Sequence, residues 1–310
     1  MEKPLVSIGI SVWNGELFLA ETLDSLLAQD YEKIEIIILD NLSSDLTPDI
    51  CKKYAQKDSR IRYILDTEKR NVMEGQKRVF NSARGEYFMI ACDDDVYAPS
   101  YINKLINLMH LDASIGLAYS AYEYISPDGL CSPANFKAEY FLNRNNSKIK
   151  NFMHYLRHRN PIPIIFGLVK TEFHKDALQY YLRVDQRGWS HDNLYMLRLL
   201  STTRVDSTDE VLFRYRQRDR ESLYQSRGQL APKVSRFKKY RNDVLHQMKF
   251  TAMVHKIINE ASFSYIEKKF LWFYAVFILF LNFKRQTREL LPIPRKLIPR
   301  ITRRLRNKGK

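Results

Sequence analysis

Short apolar stretches alternate with amphipathic stretches over the first third of the chain. The apolar stretches are rich in β-branched residues and predict strands over residues 5–12, 34–39, 61–65 and 87–92. Apolar positions at helical spacing predict helices over residues 17–29, 47–57, 74–83 and 99–111, with Thr47 as the cap of the second. Because strands alternate with helices, we expect an α/β fold with a mostly parallel sheet flanked by helices.

The second half of the chain is less regular. We predict strands over residues 117–120, 162–170 and 211–216, a loop over 143–150 and a helix over 192–200. From about residue 232 onward, apolar residues recur at roughly helical spacing. The run 270–283 has one polar residue and lies between pairs of cationic residues. It is shorter than the stretch of about 20 apolar residues that a membrane-spanning helix requires.

Charge divides the chain into two parts. Residues 1–229 hold 30 Lys and Arg against 31 Asp and Glu, whereas residues 230–310 hold 20 against 4. The sequence therefore predicts a nearly neutral body, 1–229, and a basic helical tail, 230–310. A basic segment of this kind attracts phosphates, on nucleic acid or on a membrane surface. Three widely spaced cysteines and the lack of a visible signal peptide favour a cytoplasmic protein.

Carboxylates follow two of the predicted strands, at the sheet edge where α/β proteins bind ligands. Asp93, Asp94 and Asp95 come directly after the fourth strand. Three adjacent carboxylates repel one another unless a cation is near, and a divalent metal would in turn hold phosphate oxygens. The alternative is a solvated loop in which Asp95 caps the next helix. Asp40 follows the second strand and suits a base edge or a ribose, although an Asx turn is the alternative.

Two further positions are weaker candidates when taken alone. Trp13 and Asn14 follow the first strand, where an Asn-Gly pair is also an ordinary turn. Asp192 lies at the start of a predicted helix, where it is a candidate general base. Its alternative role is helix capping, by Ser190 or by Asp192 itself.

The order of these elements resembles the family 2 glycosyltransferases, which have a GT-A type, Rossmann-like fold. The resemblance rests on residues 6–15, where Trp13 replaces the usual Tyr, and on 21–29, 35–45, 83–87 and 93–95. Residues 188–192 and 209–216 resemble the acceptor-side elements, with His191 where Glu is common. The QxxRW motif of processive synthases is absent from the sequence, which argues against a polymer-extruding synthase.

The resemblance implies an inverting, hexosyltransferase-like enzyme with a donor half of about 1–115 and an acceptor half of about 116–229. It implies Asp192 as the catalytic base and Mn²⁺ or Mg²⁺ held by Asp93 and Asp95, with Asp95 as the favoured direct ligand. The implied nucleotide-binding residues are Ser11, Trp13, Asn14, Asp40, Asp93 and Asp94. The donor would be a nucleotide sugar and the acceptor a saccharide, a lipid-linked saccharide or a protein. Such an enzyme would act in cell-surface polysaccharide or glycolipid synthesis.

Three other classes of protein fit the sequence less well. A sugar nucleotidyltransferase requires a Gly-rich, basic loop after the first strand, and residues 12–16 are neither. A dehydrogenase requires a GxGxxG motif after a strand, which the sequence lacks. A nucleic-acid binding protein would explain the basic tail, but the apolar run between cations suits a bilayer interface better, so no nucleic acid is expected. We therefore expect residues 230–310 to attach the protein peripherally to the anionic inner face of a membrane, and the alternative is that 270–283 forms a core helix.

Overall fold

A computed structural model describes residues 3–132, 142, 144–158, 164–181, 190–217 and 236–290. Its first half alternates strands and helices, as the sequence predicts: β1 (Val6–Val12), α1 (Leu19–Leu27), β2 (Ile34–Asp40), α2 (Thr47–Lys57), β3 (Ile61–Leu65), α3 (Val72–Ser82) and β4 (Tyr87–Ala91). The four strands pair in parallel in the order β3-β2-β1-β4. Every residue of β2 is buried, which accounts for its nearly uninterrupted apolar sequence.

The turn that leads into β4 requires glycine at position 85. A Cβ atom there would lie 2.6 Å from the carbonyl oxygen of Leu5 and 2.7 Å from the backbone nitrogen of Ser7. The Gly85 N–H instead donates to the Ser7 hydroxyl, 2.8 Å away. This close approach aligns β4 beside β1 and so fixes where the acidic residues after β4 emerge.

The second half extends the same sheet to nine strands. Its elements are β5 (Val96–Tyr97), α4 (Tyr101–His110), β6 (Ile115–Ile125), β7 (Cys131–Ser132), α5 (Lys148–His158), a 3₁₀ turn (Ile164–Phe166), β8 (Leu168–Lys170), α6 (Thr171–Tyr181), α7 (Ser190–Thr202) and β9 (Arg204–Arg216). The sheet order is β3-β2-β1-β4-β8-β6-β9-β5, with β7 paired to β6. β8 runs antiparallel to both β4 and β6, so the sheet is mixed and only its first half is wholly parallel.

Several boundaries differ from the sequence-based expectations. β6 is 11 residues long and β9 is 13 residues long, because the two strands pair with each other along their length. The sequence predicted only the short apolar segment within each strand. The strand predicted over residues 162–170 is described only from residue 164 onward, and within that part Leu168–Lys170 form the strand. The predicted loop 143–150 gives way to α5 at Lys148, and neither α5 nor α6 was predicted.

Thr47 does not cap α2 as predicted. The residue that precedes the helix is Leu46, whose side chain cannot cap it, and the Asp45 carboxylate accepts the N–H of Thr47 at 3.0 Å. The Thr47 hydroxyl instead accepts the N–H of Gly15, 2.8 Å away. This tertiary contact replaces the local one that the sequence suggested.

The basic tail contributes two long helices, α8 (Arg236–Glu260) and α9 (Tyr265–Leu290). They pack against each other, and they contact α7 and α5 of the body. The side chains that they bury belong to the main hydrophobic core: Phe250, Val254, Ile257, Ile258, Leu271, Ala275 and Ile278. The apolar run 270–283 therefore packs partly as a core helix. The predicted boundary at residue 229 and the end of the tail, 291–310, lie outside the described residues.

Within the described ranges, no helix is both long enough and apolar enough to cross a membrane. This agrees with the length of the run 270–283.

Truncating a buried side chain of α9 should lower stability much more than truncating an exposed one. Leu271 is fully buried, so Leu271→Ala should lower the free energy of unfolding by about 2–5 kcal/mol. Phe273 is 67% exposed on the same helix, so Phe273→Ala should change it by about 0.5 kcal/mol or less. Urea unfolding followed by circular dichroism measures both values. Small losses for both variants would contradict the packing of α9 on the body.

Candidate active site

The loops after β1 and β2 are joined by hydrogen bonds through Asn14. Asn14 has a positive φ of 54°, a conformation that Asn tolerates better than most residues. Its backbone N–H donates to the Ser43 hydroxyl at 2.9 Å, and its side-chain Oδ1 accepts the N–H of Ser44 at 2.9 Å. The Asn-Gly sequence is thus a turn, and this turn also holds two strand-end loops together.

Asp40 is fully buried at the end of β2. Its Oδ1 accepts the N–H of Ser43 at 2.8 Å, which is the Asx-type turn considered as the alternative. Its Oδ2 accepts the hydroxyl of Tyr63 at 3.0 Å. Burial and the Asp40 charge raise the pKa of Tyr63 well above its usual value, so the phenol stays protonated and remains a donor. The role of Asp40 toward a nucleoside remains a prediction.

Ser11 and Trp13 lie at the same sheet edge. The first turn of α3 comes so close that a Cβ at Gly75 would lie 2.5 Å from the Ser11 hydroxyl. The ammonium of Lys69 lies 3.3 Å from the centre of the Trp13 ring, a cation–π contact. Asn14, Asp40, Ser11 and Trp13 therefore border one region, as the topology of a parallel sheet predicts.

A buried charge cluster, which the sequence did not suggest, supports this edge. The Asp66 carboxylate forms ion pairs with Arg70 and Arg78. Burial opposes ionisation of Asp66, but hydrogen bonds from Arg78, the backbone of Thr67 and Arg70 hold its pKa below the usual range. The Asn41 side chain links the cluster to β2, because it accepts the N–H of Arg70 at 2.7 Å and donates to the Arg70 carbonyl at 2.8 Å.

Asp95 is the most constrained residue of the acidic loop. It is fully buried, and its Oδ1 accepts the backbone N–H of Arg216 at 2.9 Å. Its Oδ2 has no hydrogen-bond partner among the described residues. Burial, and then the negative charge of Asp94 and Asp93, raise the pKa of Asp95 well above its usual value. Asp95 does not cap a helix, since α4 begins at Tyr101 after Ser100.

Arg216, the last residue of β9, holds this loop in place from the other side. Its guanidinium donates to the Asp94 carbonyl at 2.8 Å, to the Ser126 carbonyl at 3.1 Å and to the Glu21 carboxylate at 2.6 Å. It also lies over the ring of Phe18. Arg216 thus ties the acidic loop to α1 and to the end of β6.

The acidic loop also contains the one candidate metal cluster of the described residues. Ligand atoms of Cys92, Asp94 and Asp95 all lie within 4.8 Å of one another. Burial and the surrounding carboxylates raise the Cys92 pKa well above its usual value, and a sulfur ligand is softer than Mn²⁺ or Mg²⁺ prefers. The two carboxylates supply hard oxygen donors, and the unpartnered Oδ2 of Asp95 fits a divalent cation.

The structure pairs Asp94 with Asp95, whereas the sequence predicted a metal held by Asp93 and Asp95. Asp93 is oriented differently, since its Oδ2 lies 2.5 Å from where a Cβ of Gly15 would be. Asp93 therefore contacts the turn after β1, close to the region assigned to the nucleotide. The metal roles of all three carboxylates remain predictions.

Asp192 comes from the second half of the chain. It lies in the first turn of α7, beside the buried His191. Its charge is one of those that raise the pKa of Cys92, together with those of the acidic loop. Asp192 is thus within electrostatic range of Cys92, and its role as a base remains a prediction. Residues 188 and 189 of the acceptor-side motif lie outside the described residues.

Comparison with known proteins identifies the family. The family model described as "Glycosyl transferase family 2" matches residues 7–168, more than half of the chain. An uncharacterized glycosyltransferase of Methanocaldococcus jannaschii, MJ1057, is 30% identical over 227 residues, which are 72% of this chain and 74% of the relative. This chain belongs to glycosyl transferase family 2. The nucleotidyltransferase and dehydrogenase alternatives are thereby set aside.

A second relative is a putative teichuronic acid biosynthesis glycosyltransferase of Bacillus subtilis, TuaG. It is 28% identical over 127 residues, which are 41% of this glycosyltransferase and 50% of TuaG. The similarity to TuaG thus covers only part of both chains.

Solved structures confirm the predicted GT-A fold. S. aureus TarS in complex with UDP-GlcNAc superposes with a TM-score of 0.62 at 15% identity, over 86% of this chain and 70% of TarS. The mannosyltransferase PcManGT of Pyrobaculum calidifontis, in complex with GDP-Man and Mn²⁺, gives a TM-score of 0.51 at 15% identity, over 94% of this chain and 85% of PcManGT. At such low identity the likeness concerns the fold.

Replacing Asp95 should stabilise the metal-free protein at neutral pH. The folded-state pKa of Asp95 is above its unfolded value, so the folded protein binds more protons between the two, and its stability falls as pH rises through the folded-state pKa. Asp95→Asn removes this loss. In excess chelator, the Tm of Asp95→Asn should exceed that of the wild type at high pH. This difference in Tm should vanish below about pH 4.

The exposed Asp49→Asn substitution on α2 is the matched control and should show no such difference. A wild-type protein more stable than Asp95→Asn at high pH in chelator would contradict the buried, uncompensated charge.

Proposed function

We propose that this glycosyltransferase is an inverting, metal-dependent enzyme that moves a sugar from a nucleotide-sugar donor to a hydroxyl acceptor. The observation that carries the proposal is the buried Asp95, with one carboxylate oxygen unpartnered beside Asp94 and with Asp192 close to the same loop. The proposed mechanism uses neighbouring carboxylates for three functions, namely metal binding, donor binding and proton transfer.

Asp95 and Asp94 are the residues that would hold Mn²⁺ or Mg²⁺. When bound, the cation neutralises charge on the nucleoside diphosphate as it leaves. Two observations support a cation here: the unpartnered Asp95 Oδ2, and the Mn²⁺ found with GDP-Man in PcManGT. Asp93, beside the turn after β1, would orient the donor.

The nucleoside would bind at the ends of β1 and β2. Asp40 is fully buried and each of its oxygens accepts one hydrogen bond within the protein. A carboxylate oxygen accepts two, so a base or ribose donor that displaces the groups covering Asp40 would find a free acceptor there. The half-buried Trp13 offers a flat face, Ser11 offers a hydroxyl, and the Asn14 turn shapes the loop between them. Solved relatives of this fold bind UDP-GlcNAc and GDP-Man, so the fold accommodates more than one base.

Asp192 would act as the general base. It would take the proton of the acceptor hydroxyl as that oxygen attacks the anomeric carbon from the face opposite the leaving group, which inverts the configuration. The name of TuaG refers to teichuronic acid biosynthesis, and this supports an acceptor in cell-surface polysaccharide or glycolipid synthesis. A panel of nucleotide sugars, assayed for hydrolysis with and without Mn²⁺, would identify the donor.

Asp192→Asn should lower kcat by about 100-fold or more and leave the Kd for the donor nearly unchanged, because Asn keeps the shape but accepts a proton poorly. Steady-state transfer assays and donor titration measure the two quantities. Asp49→Asn, on the exposed face of α2, is the matched control and should behave as wild type. Near-normal turnover by Asp192→Asn would place the base elsewhere.

Donor hydrolysis should stop in excess chelator and return with Mn²⁺. Asp95→Asn and Asp94→Asn should each raise the Mn²⁺ concentration at half-maximal rate by about tenfold or more. Asp93→Asn should raise it less, since its carboxylate lies toward Gly15. Full turnover in chelator would refute the metal-dependent mechanism, and a larger effect at Asp93 than at Asp94 would restore the pairing predicted from sequence.

A further inference from the structure

One face of α9 presents a row of large apolar side chains to solvent. We call it the aromatic stripe, and it consists of Ile266, Phe270, Phe273, Phe277 and Phe280, each more than half exposed. The members are spaced alternately four and three residues apart, which places them on one side of the helix. Large apolar side chains that are exposed together on one helix face mark a candidate interaction site.

The fold holds the aromatic stripe outward. Leu271, Ala275 and Ile278 lie on the opposite side of α9 and are buried in the main core. The hydroxyl of Tyr274 donates to the carbonyl of Met153 on α5 at 3.5 Å. Turning the stripe inward would expose this core, so the stripe stays on the surface and is available to a partner.

Cations adjoin both ends of the aromatic stripe. Lys269 is exposed at its start, and its ammonium lies 4.5 Å from the ring centre of Tyr265. Beyond its end, residues 284–310 hold 11 Lys and Arg against one Glu. A partner that is apolar inside and anionic at its surface is complementary to this arrangement.

The side chains favour a bilayer over a second copy of the chain. Helix-pairing seams use Leu, Ile and Val at the alternating positions, with opposite charges beside them. Here four of five positions are Phe, and residues 270–283 contain no charged residue that could form pairs across a seam. Two chains would also bring like-charged segments together. Phe and Trp beside Lys and Arg are typical of helices that lie in the membrane interface.

We propose that the aromatic stripe of α9 is a docking surface for an anionic lipid bilayer. The stripe inserts its rings at the boundary between headgroups and acyl chains, and the flanking cations bind the headgroups. Because the other face of α9 is part of the core, the catalytic body is held at the membrane directly. This inference concerns lipid binding and is independent of the transfer chemistry.

The test is flotation of the full-length protein with phosphatidylcholine vesicles, with and without phosphatidylglycerol. Wild type should float with the anionic vesicles at low salt and progressively less as salt rises. Phe273→Ser with Phe277→Ser should weaken binding by about tenfold or more, because each ring loses its burial in the bilayer. The control pair, Leu111→Ser with Leu130→Ser, removes equally exposed apolar side chains elsewhere and should bind as wild type.

Brominated lipids add a second measurement. They should quench the fluorescence of Trp272, which lies on α9 and is partly exposed, and Trp272→Phe should remove that quenching. Absence of wild-type flotation, or unchanged binding by the Phe273 and Phe277 variant, overturns the proposal. So does a lipid-free dimer in sedimentation equilibrium that this variant dissociates, because the stripe would then be a contact between copies.

Discussion

The burial of the Asp95 carboxylate is the constraint on which the candidate site depends. A carboxylate removed from water is stable only when its oxygens find partners, and here one oxygen accepts a backbone N–H while the other has none among the described residues. Such a group is poorly satisfied alone and well satisfied by a cation. Under the proposed function, a divalent cation would supply the partner that this oxygen lacks, and its binding would offset the cost of burying the carboxylate.

Arg216 is what makes this burial tolerable. Its backbone holds Asp95, while its guanidinium satisfies the carbonyls of Asp94 and Ser126 and pairs with Glu21. The acidic loop is therefore fixed from β9, β6 and α1 at once. The proposed mechanism, with Asp192 as the base, would benefit from a loop whose position is already determined, because base and leaving group must be aligned.

The elements of the first half could be predicted from sequence, and so could the positions of Asp40 and the acidic loop at strand ends. Each reflects local periodicity or the rule that ligands bind at strand ends. The role of Arg216 could not be predicted, because its partners Asp94 and Glu21 are 122 and 195 residues away in the sequence. The relative placement of Asp93 and Asp94 is likewise a matter of side-chain direction, which adjacency in sequence does not determine.

The tail shows a different limit of pattern analysis. In an amphipathic helix the apolar side is the buried side, and the polar side faces solvent. Residues 270–283 are apolar on all sides, so their sequence does not show which side is buried. Core packing and membrane attachment were therefore competing interpretations of one run. In the structure Leu271 and Phe273 lie on different sides of α9, so core packing holds for one side and the other stays available to a partner.

The most direct test of the account is crystallographic. Crystals grown with Mn²⁺ and a nucleoside diphosphate should show one anomalous Mn²⁺ peak at coordination distance, about 2.0–2.6 Å, from a carboxylate oxygen of Asp95, with the diphosphate on its far side and the nucleoside near Asp40. A Mn²⁺ peak away from Asp95, or a nucleotide bound at another edge of the sheet, would contradict it.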